Sequence, residues 1–331
     1  MTTDDEAAFS VELRERLAPL FGADIAIARL ALLAGGASKE AWALDLRTAQ
    51  GTRELLVRRA GGGVIHQETL TLEHEHRLLE VALAAGVRVP KPYGYLGEIA
   101  GRTAFVSERV SGETIGRRIV QRPELAGARA VLPTQMAEEL AKIHAIPAER
   151  VPFLAGVGAR DVLARLTEEV DRLGDAHPAI EFGLDWARRH VPAQSETVVL
   201  HGDLRLGNLA VTATGLGHVL DWEFGHCGDP AEDVAWPLVR AWRFGVDQLR
   251  LGGIGEVEPY LERYNALTGR QLTLASLGYW EIVGNLKWAI GALTQSRRHL
   301  SGQQRSVELA VLGRLAAEME YELLHLLERA G

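Results

Sequence analysis

The sequence contains very little cysteine, since Cys227 is the only one among 331 residues. A single cysteine excludes an internal disulfide framework and a zinc site built from several cysteines, and it suits a reducing compartment. The sequence also has no uncharged run long enough to form a membrane helix. Its first residues, MTTDDEAAF, are acidic and lack an apolar core, so we expect no signal peptide and a cytoplasmic protein.

Positive charge is also scarce, because 36 lysines and arginines face 44 aspartates and glutamates, giving a formal charge of -8. Binding to nucleic acid or to an anionic membrane would require a concentrated basic face. We therefore expect no nucleic-acid partner and no membrane partner, although a local basic pocket is compatible with this composition. Composition leaves the oligomeric state undetermined.

The chain divides into a first half of short β-type runs and a second half with helical periodicity. In the first half the pattern predicts strands within residues 30–46, 53–59 and 102–110 and a helix over residues 69–85. In the second half we predict a helix opened by Pro133 and helical structure throughout the chain beyond Pro237.

These two halves predict two lobes. We expect an N-lobe of residues 1–110, which binds the nucleotide, and a C-lobe of residues 111–331, which carries the catalytic loop and a helical substrate-binding subdomain. Ser111 and Gly112 mark a hinge near residues 107–112.

The segment VVLHGDLRLGNL, residues 198–209, is an apolar strand that leads directly into polar side chains. A strand, turn and strand follow it, and this hairpin should bring Asp221 back beside Asn208. Carboxylate and carboxamide oxygens suit a hard cation such as magnesium. In phosphoryl transfer, one aspartate orients or deprotonates the attacking hydroxyl, while an asparagine five residues later and a downstream aspartate hold magnesium on ATP. The spacing therefore predicts Asp203 as the catalytic residue and Asn208 and Asp221 as magnesium ligands.

Simpler readings exist for single residues of this segment. Asp203 or Asn208 alone could be a turn or helix-capping residue. Zinc is disfavoured, because no further histidine lies at ligand spacing from His201.

The candidate phosphate loop lies in GGASKEAW, where Gly35 and Gly36 let the backbone amides of Ala37 and Ser38 approach phosphate oxygens. The two glycines alone could equally form an ordinary hairpin turn.

A buried ion pair is predicted near this loop. Glu75 lies on the apolar face of its predicted helix, and a carboxylate there requires a cationic partner. The strand ELLVRR offers Arg58 or Arg59, and strand alternation favours Arg58. That strand position is arginine and we expect no lysine nearby, so arginine takes the place of the lysine that reaches the ATP phosphates in kinases.

The HGDLRLGN segment followed by LDW resembles the aminoglycoside phosphotransferase family, whose catalytic segment reads H-G-D-x-x-x-x-N. The C-terminal pattern GNLKWAIGALTQSRRHL is similar, more narrowly, to the branch that includes kinase-like domains fused to acyl-CoA dehydrogenases. This resemblance implies an α+β, protein-kinase-like fold with a small antiparallel-sheet N-lobe, a large helical C-lobe and MgATP in the cleft between them. It implies transfer of the γ-phosphoryl group of ATP to a hydroxyl of a small molecule.

The resemblance also implies roles for further residues. Adenine should lie against the backbone of Glu108 and Val110, and His201 should brace the catalytic loop by hydrogen bonds. Asp229 and Asp233 should cap the following helix and anchor that loop. We further expect Glu223 to support the site as a hydrogen-bond acceptor, and Cys227 to be neutral and buried.

The acceptor is open at this stage. Arg297, Arg298, His299 and Arg305 could meet the phosphates of a hydroxyacyl-CoA, or they could simply stabilise a helix C-terminus. An aminoglycoside would require carboxylates in the cleft, and Glu256, Glu258 and Glu262 fit a solvent-exposed helix face better.

Other classes of activity stay as alternatives. The chain could phosphorylate an aminoglycoside, sugar or amino alcohol, could be a nucleotide-binding pseudokinase, or could transfer AMP. Protein phosphorylation is disfavoured, because no long activation segment separates Asp221 from Asp233.

Overall fold

The computed structural model describes residues 3–33, 39–61, 69–193 and 196–330. Its N-terminal lobe is an antiparallel sheet of five strands in the order β1-β2-β3-β5-β4, accompanied by two helices. The strands are β1 (Ala26–Leu32), β2 (Lys39–Thr48), β3 (Gly51–Ala60), β4 (Pro92–Ile99) and β5 (Arg102–Glu108), and the helices are α1 (Thr3–Phe21) and α2 (Leu72–Ala84). Helix α1 and strand β4 had not been predicted.

Helix α1 covers one face of the sheet. Its buried residues Phe9, Leu13 and Leu17 pack against inward-facing side chains of β2 and β3 such as Leu44 and Leu55. This face of the sheet is therefore covered by α1.

Helix α2 lies on the opposite side of the sheet from α1. It begins after Thr71, whose hydroxyl accepts a hydrogen bond from the backbone N–H of His74. Its apolar residues Leu72, Leu78 and Leu79 are buried, and the side chain of Glu75 is buried on the same helix, as the sequence pattern predicts.

The C-terminal lobe is mainly helical, with two short antiparallel strand pairs. Its helices are α3 (Gly116–Gln121), α4 (Ala126–His144), α5 (Ala159–Leu173), α6 (Pro178–Arg189), α7 (Pro230–Ala235), α8 (Val257–Thr268), α9 (Leu274–Leu300) and α10 (Val307–Ala330). The strand pairs are β6 (Val198–Leu200) with β9 (His226–Gly228) and β7 (Leu209–Thr212) with β8 (Gly215–Val219).

Two predictions about this lobe were wrong. Pro133 lies inside α4 rather than at its start. Proline fits best in the first turn of a helix, but burial of Leu132, Met136 and Leu140 on one face stabilises the helix on both sides of Pro133. The chain beyond Pro237 is not helical throughout. A 3₁₀ turn at Arg240–Arg243 and a stretch of irregular backbone precede α8. In that irregular stretch Gly252 and Gly253 adopt positive φ.

One apolar core connects the two lobes. Leu78 of α2 and Phe105 of β5 belong to the same buried cluster as Trp222, Tyr260 and Tyr264 of the C-lobe. The segment between β5 and α3 contains the predicted boundary at residues 110 and 111, which stays a prediction. Across the described ranges, none of the helices combines the length and apolarity needed to cross a bilayer.

Candidate active site

The catalytic-loop carboxylate, Asp203, follows β6 and is almost fully buried. Its Oδ1 accepts hydrogen bonds from Trp236 Nε1 at 2.6 Å and from Arg205 Nε at 3.1 Å. Its Oδ2 accepts one from Asn208 Nδ2 at 2.6 Å. Three donors therefore fix the orientation of this carboxylate.

The backbone of the loop is held by a second, fully buried carboxylate. Asp233 accepts hydrogen bonds from the backbone N–H groups of His201 at 2.7 Å and Gly202 at 2.8 Å. Gly202 has φ of +77°, and a Cβ there would lie 2.3 Å from the carbonyl oxygen of Phe224, so only glycine fits. The structure thus brings Asp233 to the loop, as the family resemblance implies, and Asp229 caps α7 through the N–H of Ala231.

Two histidines complete this support. The imidazole Nε2 of His201 lies 3.0 Å from the carbonyl oxygen of Leu220, at the end of the hairpin, and His144 Nε2 lies 3.3 Å from Asp233. Burial alone would raise the pKa of Asp233. The hydrogen bond and charge of His144, with the N–H of His201, outweigh burial and hold that pKa below its ordinary value.

The hairpin places Asn208 and Asp221 as the spacing predicts. The backbone N–H of Leu220 donates to the carbonyl oxygen of Asn208 at 2.8 Å. Asn208 Nδ2 donates to both the backbone oxygen and Oδ2 of Asp203, and since both are acceptors, Oδ1 of the carboxamide faces the other way. Asp221 adopts a φ of +62° and keeps a third of its side chain exposed.

Two cations, rather than one, join the N-lobe to this hairpin. Arg58 lies 3.3 Å from Glu75 and 3.1 Å from Asp221. Lys39, at the start of β2, lies 2.7 Å from Glu75 and 3.0 Å from Glu223. The expectation that no lysine lies near Arg58 is therefore wrong, because the pairing of β2 with β3 brings the side chain of Lys39 beside that of Arg58.

The charges of this group shift two pKa values in opposite directions. Burial opposes ionisation of Asp221, but the neighbouring Arg58 outweighs it and keeps the pKa of Asp221 below its ordinary value. Burial and the charge of Asp221 raise the pKa of Glu223, against the attraction of Lys39. Glu223 contacts Lys39, a cation of the N-lobe.

Cys227 is buried, and burial raises the pKa of its thiol, so this side chain is neutral as expected.

The other arginine of β3 serves the opposite face of the sheet. Arg59 lies 4.5 Å from the ring centre of Phe9 and donates to the carbonyl oxygens of Ile99 and Ala100 at 3.2 Å and 2.9 Å. Strand alternation therefore distinguishes the two arginines correctly.

The hinge offers a backbone edge at the end of β5. The N–H of Glu108 donates to the carbonyl oxygen of Lys91 at 2.8 Å, and the carbonyl oxygen of Glu108 accepts a hydrogen bond from the Ser107 hydroxyl at 3.4 Å. Val110 lies two residues later in partly buried backbone without regular structure. The predicted phosphate-loop residues Gly35, Gly36, Ala37 and Ser38 lie outside the described residues.

Aromatic residues of the C-lobe lie beside Asp203. Trp236 and Trp242 have ring centres 5.6 Å apart, and the Arg205 guanidinium lies 4.3 Å from the ring centre of Trp242. Lys287 of α9 has its Nζ 5.1 Å from the ring centre of Trp236. Sequence reasoning missed these residues. The only available signal was the position of Arg205 inside the catalytic segment.

Comparison with known families matches residues 29–272 to the phosphotransferase enzyme family, APH. The chain belongs to this family. It is similar to acyl-CoA dehydrogenase family member 10 of Mus musculus, with 26% identity over 294 residues that cover 81% of this chain and 26% of that protein. The chain thus spans about a quarter of the length of this relative.

Solved structures show the same fold. A Ralstonia eutropha protein provisionally named an aminoglycoside phosphotransferase matches with a TM-score of 0.78 and 20% identity, over 97% of this chain and 99% of that one. The aminoglycoside phosphotransferase APH(4)-Ia, in complex with AMP-PNP and hygromycin B, matches with a TM-score of 0.64 and 16% identity, over 95% and 98%. The kinase-like α+β fold and the resemblance to both the family and its acyl-CoA dehydrogenase branch are confirmed.

The donor set of this site suits a magnesium ion that also binds phosphates. Asn208 Oδ1 and the exposed part of Asp221 are two oxygen atoms that could serve as its ligands, and magnesium commonly completes its shell with phosphate oxygens and water. No cluster of three or more His, Cys, Asp or Glu side chains suited to a metal occurs in the part of the chain that the structure describes.

The side chains of the C-terminal basic cluster, Arg297, Arg298 and His299, bond to other residues of the chain. Arg297 lies 2.5 Å from Asp175, Arg298 donates to Gln295 and Gln304, and His299 accepts from the N–H of Ser306. Arg305 is exposed, as are Glu256, Glu258 and Glu262.

Proposed function

We propose that this chain is an ATP-dependent phosphotransferase that transfers the γ-phosphoryl group to a hydroxyl of a small molecule. The observation that carries this proposal is the arrangement around Asp203, whose carboxylate is fixed by Trp236, Arg205 and Asn208. Beside it, Arg58 bridges Asp221 and the N-lobe Glu75. A fixed base next to a cation-lined phosphate site suits in-line displacement at phosphorus.

In the proposed reaction, Asp203 orients the acceptor hydroxyl and receives its proton. The acceptor oxygen forms a bond to the γ-phosphorus while the bond from that phosphorus to the β–γ bridging oxygen breaks, so ADP leaves with the electron pair. Arg58 and Lys39 offset the negative charge of the phosphates. Asn208 and Asp221 would hold the magnesium ion, which neutralises charge on the phosphate oxygens when bound.

The nucleotide is proposed to lie between the lobes, with its adenine against the backbone of Glu108 and Val110. Residues 1–110 and 111–331 would then act as the nucleotide-binding and the catalytic lobe. The similarity to a phosphotransferase crystallised with AMP-PNP supports an adenine nucleotide. The single, buried Cys227 supports a reducing compartment, and we propose the cytoplasm.

We propose a hydroxyacyl-CoA as the acceptor. The similarity to a protein named acyl-CoA dehydrogenase family member 10 supports an acceptor that is related to acyl-CoA. The exposed Glu256, Glu258 and Glu262 do not form the carboxylate-lined cleft that a polyamine acceptor would require.

The test is a coupled ADP-release screen of the chain with ATP and magnesium, using hydroxyacyl-CoA, homoserine, choline, sugars and kanamycin as acceptors. We expect release of ADP only with acceptor present, and a product heavier by one phosphate in mass spectrometry. A product heavier by AMP would indicate nucleotidyl transfer instead. Nucleotide binding without turnover on any acceptor would indicate a pseudokinase.

A further inference from the structure

Helix α10 has one face buried in the core and one face that no part of the described chain covers. Its buried side chains, such as Met319, Leu323 and Leu327, pack into the main core. On the opposite face, the positions that follow each other at alternating steps of four and three residues are all exposed. We call this row the outer seam of α10, and it consists of Val307, Val311, Arg314, Glu318, Tyr321, His325 and Glu328.

The outer seam carries aliphatic and aromatic side chains that a monomer leaves in water. Val307 is 80% exposed, Val311 46% and Tyr321 58%. The rings of Tyr321 and His325 meet edge to face, with their centres 4.5 Å apart. Single exposed apolar residues are common, but a row at alternating steps of four and three is the contact line of paired helices. Association that covers this row removes apolar area from water and is therefore favourable.

The outer seam is complementary to itself when a second copy runs in the opposite direction. If Ala316 of one α10 lies level with Ala316 of the other, each seam residue meets a residue equally far on the other side of that level. Arg314 then faces the second copy's Glu318, and Val311 faces its Tyr321. Each pair occurs twice, as the two-fold symmetry of a homodimer requires.

Charge favours this antiparallel direction over a parallel one. In a parallel pair in register, Arg314 would face Arg314 and Glu318 would face Glu318, and contacts between like charges are destabilising. Among the described residues, no ion pair engages either side chain, so both are available to a partner. The exposed neighbour Ala317 is small, which suits a close approach of two helices.

We propose that two copies of this chain associate through the outer seams of α10, as an antiparallel helix pair with a two-fold axis at the level of Ala316. Val311 packs on the second copy's Tyr321, and Arg314 forms an ion pair with its Glu318. The seam from Val307 to His325 covers about 27 Å of helix, at about 1.5 Å per residue. A single helix pair of this length is a small interface, so we expect a Kd of about 1 to 100 μM.

Sedimentation equilibrium of the full chain, between about 1 and 200 μM, measures this association. Val311→Glu places a charge opposite the ring of Tyr321, and Arg314→Glu sets carboxylates against each other at both ion pairs. Val11→Glu and Arg14→Glu make the same changes at exposed positions of α1 and serve as matched controls.

We expect the wild type and both controls to dimerise with the same Kd. Val311→Glu, Arg314→Glu and Glu318→Arg should each raise the Kd at least about 10-fold. Each should keep the melting temperature of the monomeric wild type, because these positions are exposed in the monomer. An equimolar mixture of Arg314→Glu and Glu318→Arg should associate again, because both pairs then join opposite charges.

Disulfide formation determines the direction of the pair. Val311→Cys mixed with Tyr321→Cys should form an intermolecular disulfide on mild oxidation, whereas each variant alone should form none, because only the antiparallel pair brings the two positions together. The native Cys227 does not interfere, since it is buried.

Three outcomes would overturn the proposed dimer. A wild type that stays monomeric over the whole concentration range would show that the outer seam binds no second copy. An unchanged Kd in both Val311→Glu and Arg314→Glu would place the dimer contact on another surface. A disulfide formed by Val311→Cys alone would show a parallel pair.

Discussion

Trp236 Nε1 lies 2.6 Å from Asp203 Oδ1, so an indole from the C-lobe helps to orient the proposed base. The segment that carries this indole packs closely on Gly284 of α9, where a Cβ would lie 2.7 Å from Val239 Cγ2 and in ordinary van der Waals contact, at 3.5 Å, with the Trp236 ring. The helix therefore approaches Val239 closely at one residue.

Gly284→Ala is expected to push Val239 away from α9, and this shift reaches Trp236 because the N–H of Val239 donates to the carbonyl oxygen of Trp236 at 3.2 Å. We expect a loss of about 1 to 3 kcal/mol in the free energy of unfolding, as for an overpacked core, and a fall in kcat of about 10-fold or more. Urea unfolding and steady-state kinetics measure the two effects.

The matched control is Gly291→Ala on the same helix, where a Cβ meets nothing within 4 Å. Alanine is the better helix former, so this variant should gain about 0.5 to 1 kcal/mol and keep its turnover. Equal kcat in the two variants would contradict the role given to Trp236.

Asp203→Asn should abolish most turnover, because the amide cannot take the proton of the acceptor hydroxyl. We expect kcat to fall about 10²- to 10⁴-fold, with the Kd for MgATP nearly unchanged when measured by calorimetry. Asp171→Asn, at an exposed position of α5, serves as control. Turnover close to wild type would show that another group accepts the proton.

Lys39→Met and Arg58→Met test whether both cations serve the nucleotide. Each change removes charge-assisted interactions, and we expect the Kd for MgATP to rise about 10- to 100-fold in either variant. Arg58→Lys should have an intermediate effect, since an ammonium lacks the planar fork that spans Glu75 and Asp221.

Arg29→Met, an exposed charge on β1, provides the control for these two variants. An unchanged Kd in Lys39→Met, with a raised Kd in Arg58→Met, would assign Lys39 to holding Glu75 and Glu223 alone.

Asp233→Asn should destabilise the fold strongly. The carboxylate accepts hydrogen bonds from two backbone N–H groups, and in the variant the NH₂ group of the amide would face one of these donors. Breaking a buried ionic pair costs about 3 to 5 kcal/mol, to be measured by unfolding at neutral pH. The pKa of Asp233 is lowered in the folded state, so its stabilisation is present above the ordinary aspartate pKa of about 3.9 and is lost as pH falls through the lower folded value.

The difference in stability between wild type and Asp233→Asn should therefore be constant from pH 7 to about pH 5 and shrink at more acid pH. Asp229→Asn, which alters only the cap of α7, should cost about 1 kcal/mol or less. A constant difference down to pH 2 would contradict the lowered pKa.

Local patterns in the sequence predict much of the catalytic segment. A short apolar strand, two polar residues five apart and a two-stranded hairpin are set by neighbours along the chain, so the meeting of Asn208 and Asp221 follows from local geometry. The choice of Arg58 over Arg59 follows from the alternation of side chains along a strand. The inward Glu75 follows from the helical repeat.

Only the tertiary structure decides which distant side chains share the site. Lys39 reaches Glu75 because β2 pairs with β3 and α2 lies across them, and no spacing in the sequence records that crossing. Trp236 and Lys287 meet because α9 packs against the segment that follows α7, and α4 continues through Pro133 because its face is buried. The sequence by itself determined the strands, turns and helical faces that carry the catalytic segment, since those depend on short-range backbone preferences. The second cation and the aromatic wall depend on packing between elements far apart in the chain.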